Sequence, residues 1–476
     1  MLHNHLEIII RKAFPHSPTS GQGKLFQEIS KFILSPNDKE LFLIKGFAGT
    51  GKTSSLNAIT SALDEMKIPC VLLAPTGRAA KVISQFTNKP AFTIHKQIYR
   101  QKSANDAFSN FVLDFNPARN TLFIVDEASM INDNAPENSV FGSGKLLDDL
   151  FQYVYNGKNC KLVLVGDIAQ LPPVGLAHSP ALQASELHRF NKEIHQVTLT
   201  EIVRQKLDSG ILFNATQIRN VIEDLSTLKN MPKINVNDFP DVIRLSGNDI
   251  LYTLQECYEK YGIENTMVIC RSNKQANRYN AGIRSKILYF EEQIEKEDYL
   301  MVVKNNYFWQ AETLANEFIA NGDIAKIVKI SNFQEEYGFH YADAILRFPD
   351  YDDAKIKAKI FLDTLTIDAP SMDSESNKNL FWTIHEDYKE IKTKKERYRK
   401  IKENPYFNAL QVKFSYSITC HKAQGGQWKA VFIDQGWIDY EKDTNNMEYL
   451  RWFYTALTRA VEKVYLVNFK DEFFEE

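Results

Sequence analysis

The chain reads as an α/β protein with two parallel sheets, and three observations predict it. The first is the segment Gly46 to Ser54, GFAGTGKTS, directly after the apolar run Leu41 to Ile44. It fills every fixed position of the pattern G-x-x-x-x-G-K-[ST], which belongs between a strand and a helix. The second is an alternation of short apolar runs with helix-compatible stretches: CVLLA at 70–74, TLFIV at 121–125, KLVLV at 161–165 and QVTLT at 196–200. Strands joined by helical crossovers give that pattern. The third is its return later in the chain, in TMVIC (266–270), FSYSIT (414–419), AVFID (430–434) and KVYLV (463–467), which predicts a second α/β unit. Between the halves of that unit, LMVVKN (300–305), DIAKIVKI (323–330) and ADAILRF (342–348) are short and broken by polar turns. They predict a small inserted β unit.

With 476 residues, 44% of them hydrophobic, the chain has the length of about three domains and enough apolar side chains for sizeable cores. Its net charge of −3 gives no global basic signal, which argues against a simple nucleic-acid coat protein. A local basic groove remains compatible with that balance, because phosphate binding needs cations along one surface, not a basic average. No apolar run approaches the ~20 residues that span a bilayer, and Ile8 to Ile10 is too short a centre for a signal peptide, so a cytoplasmic protein without membrane partners is expected. Five scattered cysteines without C-x-x-C spacing suggest neither a zinc site nor a disulfide framework.

The glycine-rich segment predicts nucleoside triphosphate binding, with ATP and Mg²⁺ as the expected cofactors. Gly46, Gly49 and Gly51 let the backbone curl so that N–H groups of Ala48, Thr50 and Ser54 and the helix N-terminus face phosphates. Lys52 reaches the β and γ phosphates, and Thr53 offers a hydroxyl to Mg²⁺. LFIVDEAS (122–129) is an apolar strand ending in paired carboxylates, at the sheet edge where ligands sit. Asp126 is the candidate Mg²⁺ holder and Glu127 the candidate general base. Gln170, in VGDIAQLPPVG, is either a sensor of the γ phosphate or a loop glutamine held by the Pro172-Pro173 turn. Arg204 and Arg459 sit in segments suited to stabilising transferred charge, with surface ion pairs as the plainer reading.

Taken in order, GFAGTGKTS, APTGRAA (74–80), FTIH (92–95), VDEAS, GDIAQLPPVG, LTEIVRQ, KNNY with NGDIA (304–307, 321–325), SITCHKAQGGQW (417–428) and YTALTRA (454–460) make a specific set. The set resembles the superfamily 1B DNA helicases, in particular the RecD-like and phage Dda-like group, from about residue 20 to 467. The resemblance implies two RecA-like domains, a first over 1–210 and a second split into 211–298 and 406–476. It further implies a hairpin wedge near 99–116 and an SH3-like accessory domain over 299–405. By motif, Gln22 matches an adenine-contacting glutamine, and Gly425 lies where the nucleotide cleft is coupled to DNA. Thr76, Gly77, Arg78, Thr93 and His95 match single-strand contacts of the first domain. Ser272, Asn273, Thr419, His421, Lys422 and Gln424 match those of the second. Phe108, Phe111 and Phe115 are candidates for stacking on a base at the wedge, with packing of the hairpin as the equal alternative.

The implied activity is ATP-dependent 5′ to 3′ translocation on single-stranded DNA with unwinding at ss/dsDNA junctions, in recombination, repair, replication or a mobile element's own cycle. Recombination or replication proteins are the expected protein partners. The alternatives are a motor subunit of a recombination or repair nuclease complex and a non-motor P-loop enzyme such as a kinase. Two segments stay unassigned. One is the polar stretch 131–147, and the other is the basic run KEIKTKKERYRKIK (389–402), which reads first as a solvated helix.

Overall fold

The computed structural model describes residues 2–101, 111–133, 141–202, 209–224, 231–309, 319–351, 353–439, 443 and 446–475. The first lobe is a sheet of β1 (Glu40–Gly46), β2 (Cys70–Ala74), β3 (Ala91–Thr93), β6 (Leu122–Val125), β7 (Lys161–Gly166) and β8 (Glu193–Leu199). Their order is β3-β2-β6-β7-β1-β8 and every pairing is parallel. Both faces of β1 are buried, which is why it reads as a continuous apolar run. Phe42 and Ile44 pack with the helices Leu2–Ala13, Ser20–Leu34 and Lys52–Glu65, whereas Leu41 and Leu43 pack with Leu147, Leu150 and Val154 of the helix Leu146–Asn156. A two-stranded hairpin, β4 (Tyr99–Gln101) with β5 (Phe111–Leu113), packs on this lobe through Tyr99, Phe111 and Leu113.

The second lobe is a parallel sheet of β9 (Val242–Leu245), β10 (Thr266–Cys270), β16 (Ser417–Thr419), β17 (Trp428–Asp434) and β18 (Ala460–Val467). Their order is β16-β10-β17-β18-β9. The two RecA-like lobes expected from the motifs are therefore present, each with its strand ends at one carboxyl edge. Inserted into the second is a closed barrel of β11 (Tyr299–Val302), β12 (Ile324–Glu336), β13 (Phe339–Phe348), β14 (Ala354–Phe361) and β15 (Leu410–Phe414). The long strands β12 and β13 meet through Tyr337 and Gly338, with φ of 55° and 76°, the paired positive values of a tight two-residue hairpin turn.

The barrel is not a bead on a string. Leu300, Ala325, Leu346 and Leu410 share one apolar cluster with Val268 and Cys270 of the second sheet. Buried Arg284 grips Asp298 through two 2.9 Å bonds, and Tyr416 donates to the same carboxylate at 2.8 Å. That anchor explains a difference from the sequence expectation. FSYSIT is not one strand: Phe414 ends the barrel, buried Tyr416 turns the chain, and Ser417 opens a strand of the second sheet. The barrel accordingly takes its closing strand from beyond the expected edge at 405. Between β14 and β15 the helices Ser374–Asp387 and Lys394–Lys402 form a hairpin packed on the barrel. Among the described residues no helix is long and apolar enough to cross a membrane, and the five cysteines are free.

Candidate active site and nucleic-acid interface

β1 runs into Gly46, and the loop turns through Gly49 and Gly51, at φ of 77° and 80°, into the helix Lys52–Glu65. Those left-handed positions favour residues without a Cβ, and they bring backbone N–H groups together at a helix N-terminus suited to an anion. Lys52 Nζ donates to the carbonyls of Gly46 and Phe47 at 2.7 and 2.9 Å and lies 3.8 Å from Asp167 Oδ2. Gln22 is buried behind the loop. Its Nε2 donates to Thr50 O and its Oε1 accepts from Thr19 N, both at 3.0 Å, within a capping box. The amide expected at adenine is thus engaged on both sides, its Nε2 bracing the loop and its Oε1 capping its own helix.

β6 ends in the paired carboxylates. Glu127 holds φ of 51°, a left-handed position that an ordinary side chain adopts only where its surroundings enforce it. Asp126 Oδ1 accepts from Glu127 N at 2.8 Å. Burial and the adjacent Glu127 carboxylate push Asp126 up to about 7, against the pull of Lys52. A carboxylate that is costly to ionise gains from a hard divalent cation, so Asp126 with the Thr53 hydroxyl fits Mg²⁺ in donor chemistry. β7 ends in Asp167 and Gln170. Gln170 is 5% exposed and its Oε1 has no hydrogen-bond partner among the described residues, a costly arrangement for a buried polar atom.

The second lobe closes directly onto this edge. Tyr454 Oη donates to Asp167 Oδ2 and accepts from Ala48 N, both at 2.8 Å, so one buried hydroxyl ties the P-loop and the β7 end to the opposite lobe. Burial and the Asp167 charge push its phenol well above the usual range, keeping it a donor. Leu171 N donates to Thr455 Oγ1 at 2.9 Å, while Gln424 Nε2 donates to Leu171 O at 2.6 Å. Phe47, Ala169 and Leu171 of the first lobe lie in the apolar core of the second. Arg459 is 4% exposed and donates to Thr455 O and Gly426 O, each at 3.1 Å.

A second constellation follows from where the strands end. Thr76 after β2, Thr93 after β3 and Ser272 after β10 each cap the next helix, accepting from Ala79 N, Lys96 N and Gln275 N. Thr419, the last residue of β16, also precedes a helix but does not cap it through its side chain. Hydroxyls and backbone N–H groups from both lobes therefore collect at the carboxyl edges, a donor set that positions phosphates without reading bases.

Comparison with known proteins decides the family. Residues 21–236 match the model described as an AAA domain, and residues 414–467 match the UvrD-like helicase C-terminal domain. Phage T4's ATP-dependent DNA helicase dda is 24% identical over 493 residues, covering 94% of this chain and 99% of that one. The chain is an ATP-dependent DNA helicase, similar to those of superfamily 1B. The ATP-dependent RecD2 DNA helicase of Deinococcus radiodurans is 30% identical over 197 residues, which are 41% of this chain but 24% of RecD2. An uncharacterized protein of Acanthamoeba polyphaga mimivirus aligns at 24% identity over 91% of this chain and 96% of its own. Among solved structures, Pif1 helicases at forked dsDNA align with a TM-score of 0.48 at 15% identity, covering 97% of this chain and 95% of theirs.

Several motif residues of the helicase occupy places the sequence did not suggest. Gly77 is buried against the barrel, where a Cβ would clash with Tyr351 Oη and Asp323 Oδ1. Arg78 lies 4.0 Å over the Trp428 ring, bridging the lobes. Gly425 packs beside Ala79 and Thr76, and Gln424 serves Leu171 as described, so both sit in the seam between the lobes and not against the P-loop or an open track. His95 lies among Tyr99 and Phe141, and burial pushes it down to about 4; burial likewise lowers His421. Neither imidazole carries charge at neutral pH.

At the expected wedge, Phe111 is engaged by Tyr307 at 4.3 Å and Phe141 at 5.0 Å, so this ring packs within the protein. Phe115, by contrast, is 74% exposed. Arg204, Phe108 and much of the 131–147 stretch lie outside the described residues. Sequence reasoning missed Asp167, Tyr454, Trp428 and Arg219. Arg219 is buried behind the loop, 4.5 Å over the Phe47 ring and donating to Thr200 O at 3.1 Å. A signal existed: it shares a helix face with Ile211, Ala215, Ile218 and Ile222, an apolar stripe at helical spacing.

Proposed function

We propose that this helicase couples ATP hydrolysis at the seam between its lobes to 5′ to 3′ movement along single-stranded DNA, separating duplex as it advances. The observation that carries the reading is the seam itself. The P-loop and the β7 end touch the second lobe through Tyr454, Thr455 and Gln424, and beside the P-loop sheet edge Arg78 lies over Trp428 while Gly425 packs beside Thr76. A change in nucleotide state at Lys52 therefore bears on contacts that also hold Thr76 and Arg78 in place.

In this mechanism the loop amides and Lys52 bind the phosphates, Glu127 takes the proton from the attacking water, and Gln170 spends its unpaired oxygen on orienting that water. Arg459 adds positive charge when the lobes are together, and Arg204 is assigned the same work by motif. Thr53 and Asp126 would hold Mg²⁺, which when bound offsets phosphate charge. Thr76 and Thr93 hold the strand on one lobe, and Ser272, Asn273, Thr419 and Lys422 hold it on the other. Alternate tightening of those two grips moves the strand. The polarity rests on the resemblance of the ordered motifs.

The test is ATP-driven strand displacement on matched duplexes carrying a 5′ or a 3′ single-stranded tail, with Glu127→Gln as the inactive control. Displacement from the 5′ tail alone is expected. Preference for the 3′ tail would overturn the polarity, and the absence of any DNA-stimulated hydrolysis would overturn the motor.

A further inference from the structure

We propose that the helical hairpin on the barrel, residues 374–402, is a duplex-binding arm that grips DNA phosphates ahead of the point of strand separation. The proposal rests on the helicase reading above and assigns the basic run that the motor does not use. Within 389–402 there are eight lysines and arginines against two glutamates. Lys392, Lys395 and Lys400 are exposed and form no ion pair among the described residues.

A run of charge is often only a solvated face, and three features separate this one from that. First, the hairpin is held rigidly. Leu380, Ile384 and Ile401 are buried against Tyr341 and Phe361 of the barrel, and Phe381 stacks on Tyr398 at 5.6 Å to join the two helices. Arg397 closes the turn, bonding to His385 Nε2 at 3.1 Å and donating to Ile391 O at 2.9 Å. A preformed basic face loses little freedom on binding.

Second, the hairpin is rooted beside the wedge. Lys304 Nζ donates to Asn377 Oδ1 at 3.2 Å, and three residues further along the same segment Tyr307 packs on Phe111 of the β4–β5 hairpin. The arm and the wedge thus share one support. Third, the chemistry of the face suits a duplex better than a single strand. Single-strand grooves interleave cations with aromatic platforms. Here Phe381 and Tyr398 are turned into the hairpin core, leaving Trp382, 55% exposed, as the one large exposed aromatic of the hairpin among the described residues, while exposed lysines lie along its turn and second helix. Such a face docks on the regular phosphates of a duplex.

The experiment compares the wild type with the triple variant Lys392→Gln, Lys395→Gln, Lys400→Gln, binding either a 5′-tailed fork or the same tail without duplex across a salt series. The expected result is weaker fork binding, with the slope of log K against log salt shallower by about 2 to 3 on the fork and unchanged on the tail. Tail-stimulated ATPase should be unaffected. A triple Lys→Arg variant should keep the wild-type slope, and circular dichroism should show both variants folded. Equal loss on fork and tail would overturn the proposal, as would an unchanged fork slope, which would leave the face to a protein partner. Failure of the motor reading shows separately, as wild-type protein whose ATPase ignores the tail.

Discussion

At the carboxyl edge of the first sheet β1 runs into a glycine-rich loop and Lys52, whereas at the same edge of the second sheet β10 and β16 run straight into Ser272 and Thr419. Both lobes therefore offer hydroxyls at helix starts, Thr76, Thr93 and Ser272 as caps and Thr419 without a capping bond, but only the first offers a phosphate cradle among the described residues. What the second lobe adds to the nucleotide side is a set of side chains reaching across: Tyr454 to Ala48 and Asp167, Thr455 to Leu171. On the proposed reading, the difference teaches that the grip on a strand is duplicated while the chemistry is single. An engine of that kind can make hydrolysis conditional on the lobes being together.

The sharpest break in the comparison is Lys52→Ala, which removes the cradle's cation and leaves both sets of caps intact. Steady-state hydrolysis with saturating single-stranded DNA should fall by about 10³-fold or more, with DNA binding retained. Activity within tenfold of wild type would mean that the first lobe's loop is not the reaction site. Arg459→Ala makes the complementary cut from the second lobe. Because Arg459 is tied to Thr455 O and Gly426 O on its own side of the seam, nucleotide affinity should change little while kcat drops by about 10². A fluorescent nucleotide titration beside turnover separates the two effects, and a loss confined to affinity would remove Arg459 from the chemistry.

The lobes also differ in how much of them could be read in advance. β2 and β10 begin and end where the apolar runs 70–74 and 266–270 do, because strands buried on both faces leave no polar interruption. β14 went unread because AKIKAKIF alternates lysine with apolar residues, and β9 because VIRL is a short strand at a sheet edge. The P-loop and the paired carboxylates were legible as local motifs. The seam was not, since Tyr454 and its partner Asp167 stand 287 residues apart and neither looks unusual where it stands. For the same reason the family resemblance put Gln424 on the DNA track, while the fold spends its amide on Leu171.

Tyr454→Phe tests whether that seam couples the lobes or merely joins them. Removing the hydroxyl leaves Asp167 Oδ2 with Lys52, 3.8 Å away, as its nearest cation. The carboxylate would then draw the ammonium from the phosphates. The Michaelis constant for ATP should rise by about tenfold, in keeping with the loss of a hydrogen bond to a charged group, with a smaller change in kcat. Adding Asp167→Asn should bring it back toward wild type, since an amide no longer competes for Lys52. A double variant worse than either single change would show the pair to be structural.

The smallest expected effect, and the finest distinction between the lobes, is in pH. The first lobe's track consists of hydroxyls, amides and a His95 already neutral, so it has nothing to titrate between pH 7 and 9. On the second lobe, burial pushes Lys413 down to about 8 against the pull of Asp368, and burial with the nearby Lys413 does the same to Lys422. Both lysines are cations at pH 7 and largely neutral at pH 9. Single-strand affinity should therefore weaken a few-fold over that range, with a salt slope shallower by about one, and binding near pH 8 should take up protons. Folding stability without DNA should move the other way. Between about 8 and the ordinary lysine value of 10.5 the unfolded chain holds more protons, so stability rises with pH. Lys422→Gln should lower affinity at pH 7 and flatten most of the pH dependence. A variant that keeps the full wild-type pH profile would take Lys422 off the strand and leave the second lobe's grip to its caps, as in the first.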